Sequence, residues 1–120
     1  MNFLIVEDDT VASIELECIL EELGHGVAAV AVSPVFAQAA LKDHEIDAVI
    51  FGATLVGLPP YALAETLSKR GVPHAVSSNH SEEFTKILGF SAPFLPKPYR
   101  SQDVASFIES FGTNRIASAA

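Results

Sequence analysis

Five times along this chain a short apolar, β-favouring run gives way to a stretch whose apolar residues recur at helical spacing, and that alternation restricts the fold more than any other feature. Leu4-Ile5-Val6 reads as a strand that stops at Glu7-Asp8-Asp9. Val11, Ile14, Cys18, Ile19 and Leu23 then repeat along a helix that Gly24 or Gly26 ends. Residues 27–32 form a second strand, Ser33 caps a helix with Pro34 at its first position, and that helix continues from Phe36 to Leu41. Residues 46–51 form a third strand. A loop with Gly52, Gly57, Pro59 and Pro60 leads to a helix over 61–69, with Leu63 and Leu67 inward and Gly71 closing it. Residues 74–77 make a fourth strand, Ser81 caps a short helix to Leu88, and residues 93–95 make a fifth strand. Ser101 with Asp103 opens a last helix ending near Phe111.

Strands alternating with helices favour an α/β fold with a parallel sheet covered on both faces, because each right-handed crossover returns the chain to the same edge. The strands are continuous apolar runs, as burial on two sides requires. With 120 residues and no repeat, low-complexity segment or linker, the expectation is one domain over 1–112 and a flexible tail over 113–120.

The formal charge of -8, with seven Lys and Arg that never cluster, disfavours nucleic acid and anionic lipid as partners. A single cysteine, Cys18, forms no internal disulfide and no cysteine metal site, so the expected compartment is the cytoplasm. The apolar start is too short to span a membrane and lacks the basic residues of a signal peptide.

In such folds the ligand crevice lies beyond the carboxyl ends of the strands. There the first strand delivers Asp8 and Asp9, the third Gly52 and Thr54, the fourth Ser77 and Ser78, and the fifth Lys97-Pro98. Adjacent carboxylates repel unless a cation is near, and two hard oxygen ligands would hold Mg²⁺ or Mn²⁺ weakly, largely through water. The Lys97 ammonium could offset the same repulsion by pairing with Asp8 or Asp9. On its own, an acidic pair after a strand is more often a solvated helix start than a metal site.

Taken in order, Leu4-Ile5-Val6-Glu7-Asp8-Asp9, the stretch from Asp47 to Leu55, Val72-Pro73 through Ser78, and Phe94-Leu95-Pro96-Lys97-Pro98-Tyr99 resemble the receiver family of two-component response regulators. The resemblance covers nearly the whole chain. It implies a flavodoxin-like three-layer (βα)5 sandwich with strand order 2-1-3-4-5, and Mg²⁺-dependent phosphoryl transfer from a partner histidine to an aspartate. It also implies a shift in the face made by the fourth helix, fifth strand and fifth helix, a switch hydroxyl at Ser78, the aromatic-Lys-Pro set Phe94, Lys97 and Pro98, and a cis bond before Pro98.

The departure is at Gly52, which stands where the family pattern has the phosphoaccepting aspartate. Glycine has no nucleophile, and its presence removes one metal ligand as well. Thr54 is the nearest hydroxyl, but no adjacent base is evident, and the resemblance gives its position a backbone role. Ser78 reads equally as a turn residue bonded to local backbone.

The expectation is therefore an atypical, non-enzymatic receiver that acts by binding a sensor histidine kinase, a phosphotransfer protein or another signalling protein, or its own copy through the fourth helix, fifth strand and fifth helix. The rivals are a receiver phosphorylated on another carboxylate, which includes a register error around Gly52, and a flavodoxin-like small-molecule binding domain. Against the latter, the first strand-to-helix loop is acidic where a phosphate loop would be glycine-rich. The four histidines, His25, His44, His74 and His80, are expected at the surface without ligand spacing. Phe84, Leu88, Phe90, Phe94, Tyr99, Phe107 and Phe111 are expected mostly in the core, with any exposed subset marking a partner face.

Overall fold

A computed structural model of the chain describes the backbone of residues 1–119 and the side chains of residues 1–110. The elements are β1 (Asn2–Val6), α1 (Thr10–Glu22), β2 (Gly26–Ala31), α2 (Pro34–Asp43), β3 (Ala48–Gly52), α3 (Tyr61–Lys69), β4 (His74–Ser78), α4 (Glu82–Ile87), β5 (Phe94–Pro96) and α5 (Ser101–Ala119). The strands pair in parallel in the order β2-β1-β3-β4-β5, the doubly wound flavodoxin-like arrangement.

Local chemistry places most of the boundaries. Ser33 and Ser81 each accept a bond from the amide three residues on, Phe36 and Phe84 respectively, and Pro34 opens α2. Gly24 and Gly71 take positive φ of 88° and 67° where α1 and α3 end, a conformation glycine adopts without cost. α5 runs on past Phe111, where the sequence reading ended it, so the backbone of 113–119, expected as a tail, is helical. Gly112 is a weak interruption: one glycine costs a helix about 1 kcal/mol relative to alanine. The side chain of Phe111 lies outside the described residues.

Each strand sends alternate side chains to opposite faces, which makes two cores. Leu4, Val6, Val49, Phe51 and Val76 meet Leu41 of α2 and Leu63 and Leu67 of α3 on one face. On the other, Phe3, Ile5 and Ile50 meet Leu16 and Leu20 of α1 and Val104 and Phe107 of α5. Phe51 is fully buried, stacked on His74 with centroids 5.8 Å apart and edge-on to Phe90 at 5.5 Å. His74 is thus half-buried packing, and His25 likewise sits edge-on to Phe3, so two of the four histidines expected at the surface line the cores instead. The Tyr61 hydroxyl donates to the Leu88 carbonyl, joining the start of α3 to the end of α4.

Among the described residues no helix is long and apolar enough to cross a membrane. Replacing Phe51 with alanine should cost about 3–5 kcal/mol, a large part of the roughly 5–15 kcal/mol that holds a domain folded. Urea unfolding monitored by circular dichroism measures it.

Candidate functional site

The carboxyl ends of the strands gather the chemistry-bearing residues, as the parallel topology requires. Phe51 of β3 pairs with Val6 of β1, and Gly52 pairs with Ser77 of β4. Glu7, one residue past β1, still donates its amide to the Ala31 carbonyl at 2.9 Å and so extends the strand. Ala53 does the same for β3 by donating to the Ser77 carbonyl at 2.8 Å. Lys97 follows β5 directly, its amide bonded to the Ser78 carbonyl at 3.0 Å, and the Lys97-Pro98 bond is cis.

Lys97 does not pair with Asp8 or Asp9 as the sequence suggested. Its ammonium meets Oε1 of Glu7, a carboxylate only 2% exposed. Glu7 Oε2 accepts the Asp9 amide at 3.2 Å. Both faces of β1 are covered, and the strand ladder still runs through Glu7, whose amide is bonded to Ala31, so Glu7 is enclosed while Asp8 lies past the ladder's end.

The two aspartates have separate duties. Asp9 is the N-cap of α1, and its Oδ1 accepts the amides of Val11 at 2.9 Å and Ala12 at 3.2 Å. Asp8 Oδ2 accepts the Val56 amide at 2.9 Å from the loop after β3. That bond holds the Asp8 carboxyl below its ordinary pKa against the opposing effect of burial, with the Lys97 charge helping.

Ser78 is buried, and its Oγ accepts the His80 amide at 2.9 Å, the local turn role. Ser77 Oγ donates to the Phe51 carbonyl at 3.4 Å and accepts the Tyr99 hydroxyl at 2.9 Å. Burial pushes the Tyr99 phenol well above its ordinary pKa. This buried Tyr99 and Ser77 link was not anticipated. Phe94 is half-buried in β5, Thr54 is exposed, and Pro98 is exposed beside Lys97.

A shallow cavity of about 190 Å³ is lined by acidic Glu7, Asp8 and Asp9, by Thr54 and Ser78, and by Lys97. It is smaller than the roughly 300 Å³ at which small-molecule pockets begin. Gly52 is buried and does not line it. Its φ is not positive, so the backbone there suits any residue. A Cβ at this position would meet Leu55 Cδ2 and the Thr54 carbonyl at 3.4 Å and Glu7 Oε2 at 3.8 Å, ordinary contacts. Asp47, the only other acid of that segment, lies at the opposite end of the sheet, where its Oδ2 accepts the Asn2 amide at 2.7 Å.

A divalent ion would find a poor donor set. Glu7 is paired with Lys97, one oxygen of Asp9 is taken by the helix amides and one of Asp8 by Val56, while position 52 offers no side-chain oxygen. Among the described residues no group of three His, Cys, Asp or Glu could hold a metal. These residues do not fit Mg²⁺ bound chiefly by protein carboxylates.

No family model and no curated protein matches the chain in sequence. Solved structures do match. A protein described as a response regulator from Chloroflexus aurantiacus is 26% identical with a TM-score of 0.77, over 91% of this chain and 94% of its own. The receiver domain of the PhyR response regulator from Erythrobacter litoralis is 25% identical with a TM-score of 0.78, over 91% and 87%. The response regulator PhyR from Brucella abortus shares the fold at 20% identity and a TM-score of 0.82, over 98% of this chain and 51% of its own.

By structure, then, the chain matches receiver domains of the response-regulator class. Such domains are signalling modules of two-component systems, not catalytic enzymes in the usual sense.

Removing Lys97 should strand a buried charge. Lys97→Met is expected to cost about 3–5 kcal/mol, and adding Glu7→Gln should recover much of it; denaturant titration of the four-member cycle decides. For Asp8 the folded pKa is depressed, so its stabilisation is present above the unfolded value near ~3.9 and is lost as pH falls through the folded value. Asp8→Asn, which keeps an acceptor oxygen, should therefore flatten the acid limb of a stability-against-pH curve below about pH 4.

Proposed function

We propose that this chain is an atypical receiver that signals by binding another protein and does not accept a phosphoryl group at position 52. The observation that carries the reading is Gly52: it closes β3 beside Glu7 and Ser77, at the edge Lys97 reaches, and has no side chain to attack phosphorus. No base is paired with the exposed Thr54 hydroxyl among the described residues. Ser78 spends its oxygen on the local turn. The Lys97 ammonium gives Glu7 the counter-charge that a metal would otherwise supply, while Asp8 and Asp9 each spend an oxygen on backbone amides.

The partner on this reading is a sensor histidine kinase, a phosphotransfer protein or another signalling protein, with a second copy docking through α4, β5 and α5 as the self-association form. Regulation then comes from abundance or assembly. Among the described residues the exposed large apolar side chains are not concentrated where the sequence placed them: Val11 and Ile14 on α1, Val35 and Phe36 on α2, and Val56 and Leu58 after β3 stand out, while Ile87 of α4 is the exposed one among those described in the final third. Phe90, Tyr99 and Phe107 are buried.

Incubation with acetyl phosphate and Mg²⁺, followed by intact mass and acid-lability measurements, tests the reading. The wild-type chain should gain no aspartyl phosphate, and Gly52→Asp, whose Cβ makes ordinary contacts there, should gain one. A phosphoryl group mapped to any carboxylate of the wild-type chain would refute it.

A further inference from the structure

The loop between β3 and α3 contains backbone strain that the reading above does not use. Leu55 and Leu58 exchange two backbone hydrogen bonds, of 2.8 and 3.1 Å, around Val56 and Gly57. The φ values of those two residues are 52° and 80°. Positive φ at both central positions defines the tight turn that favours Asn-Gly. Val56 fills the asparagine slot, and a β-branched residue with positive φ is a genuine outlier. Packing does not compensate it, because Val56 is 72% exposed.

What opposes the strain is the 2.9 Å bond from the Val56 amide to Asp8 Oδ2, which reaches across 48 residues of sequence to the end of β1. A bond to a charged acceptor is stronger than one between neutral groups. The same turn lies over Gly52: Leu55 is 2% exposed, and its Cδ2 comes within 3.4 Å of where a side chain on Gly52 would begin.

We propose that the Leu55–Leu58 turn is a strap over position 52, and that Asp8 is the positioning residue that latches it through the Val56 amide. The latch and the strain oppose each other, so the strap has two states. Closed, Leu55 covers Gly52, which does not line the cavity of Glu7, Asp8 and Lys97. Open, Val56 relaxes to negative φ, Leu55 lifts, and the end of β3 becomes accessible to a ligand or a partner's side chain. The device stands whether or not position 52 is chemically silent.

Amide hydrogen exchange of the full chain tests it residue by residue. Asp8→Ala should speed exchange of the Leu58 and Leu55 amides about tenfold or more, the effect of losing one hydrogen bond to a charged group. The amides of Ile5 and Ile50 should keep their wild-type rates. Val56→Asn, which suits the left-handed backbone, should slow Leu58 exchange in the wild-type background and restore protection in Asp8→Ala. Unchanged Leu58 exchange in Asp8→Ala, or an asparagine that fails to slow it, would overturn the proposal. Should Asp8→Ala fail to fold, the Val56→Asn comparison decides alone.

Discussion

A carboxylate sealed from water demands a counter-charge, and the edge of this sheet is arranged around that demand. Glu7 leaves β1 and Lys97 leaves β5, yet β3 and β4 lie between those strands. The ion pair therefore spans the carboxyl ends of both, and the residues beneath it, Gly52 and Ser77, are small. A lysine stem can lie along such a surface while its charged end reaches the acid. Loss of either partner would leave the other buried without compensation, which is far costlier than replacing the pair together. A cis bond follows Lys97 directly, and the Tyr99 hydroxyl bonds Ser77 nearby.

The architecture was legible because it rests on patterns that repeat. Each strand is a run of apolar residues, each helix a recurring face, and Ser33, Pro34 and Ser81 mark helix starts by side-chain chemistry that acts over three residues. The site was legible only to the level of which strand ends converge. Nothing in Glu7-Asp8-Asp9 taken singly says which acid turns inward. That follows from how far the β1 ladder runs, through the Glu7 amide, and from Asp9 being drawn into α1 as its cap. The strap was hidden because Val56 breaks the usual residue preference of its turn, and a contact 48 residues away helps to compensate it.

Likeness to solved receivers at about a quarter identity, without any match between sequences, has the same origin. Cores accept many apolar substitutions if volume and pattern are kept. The alternation of strand and helix can therefore persist while side chains at the carboxyl edge change. Gly52 belongs to that replaceable layer: its backbone does not require glycine and a Cβ there would make ordinary contacts.

The contact between Tyr99 and Ser77 gives the molecule an optical property. The chain has two tyrosines and no tryptophan. One phenol is enclosed beneath the acidic edge, and the other, Tyr61, is half in solvent at the junction of α3 and α4. With no indole to mask them, these two rings dominate near-ultraviolet absorption and emission, and their unlike exposure lets an added quencher reach Tyr61 before Tyr99. The fold thus carries its own reporters, one at the floor of the crevice and one on the outer helices, and no foreign dye is needed to watch either place.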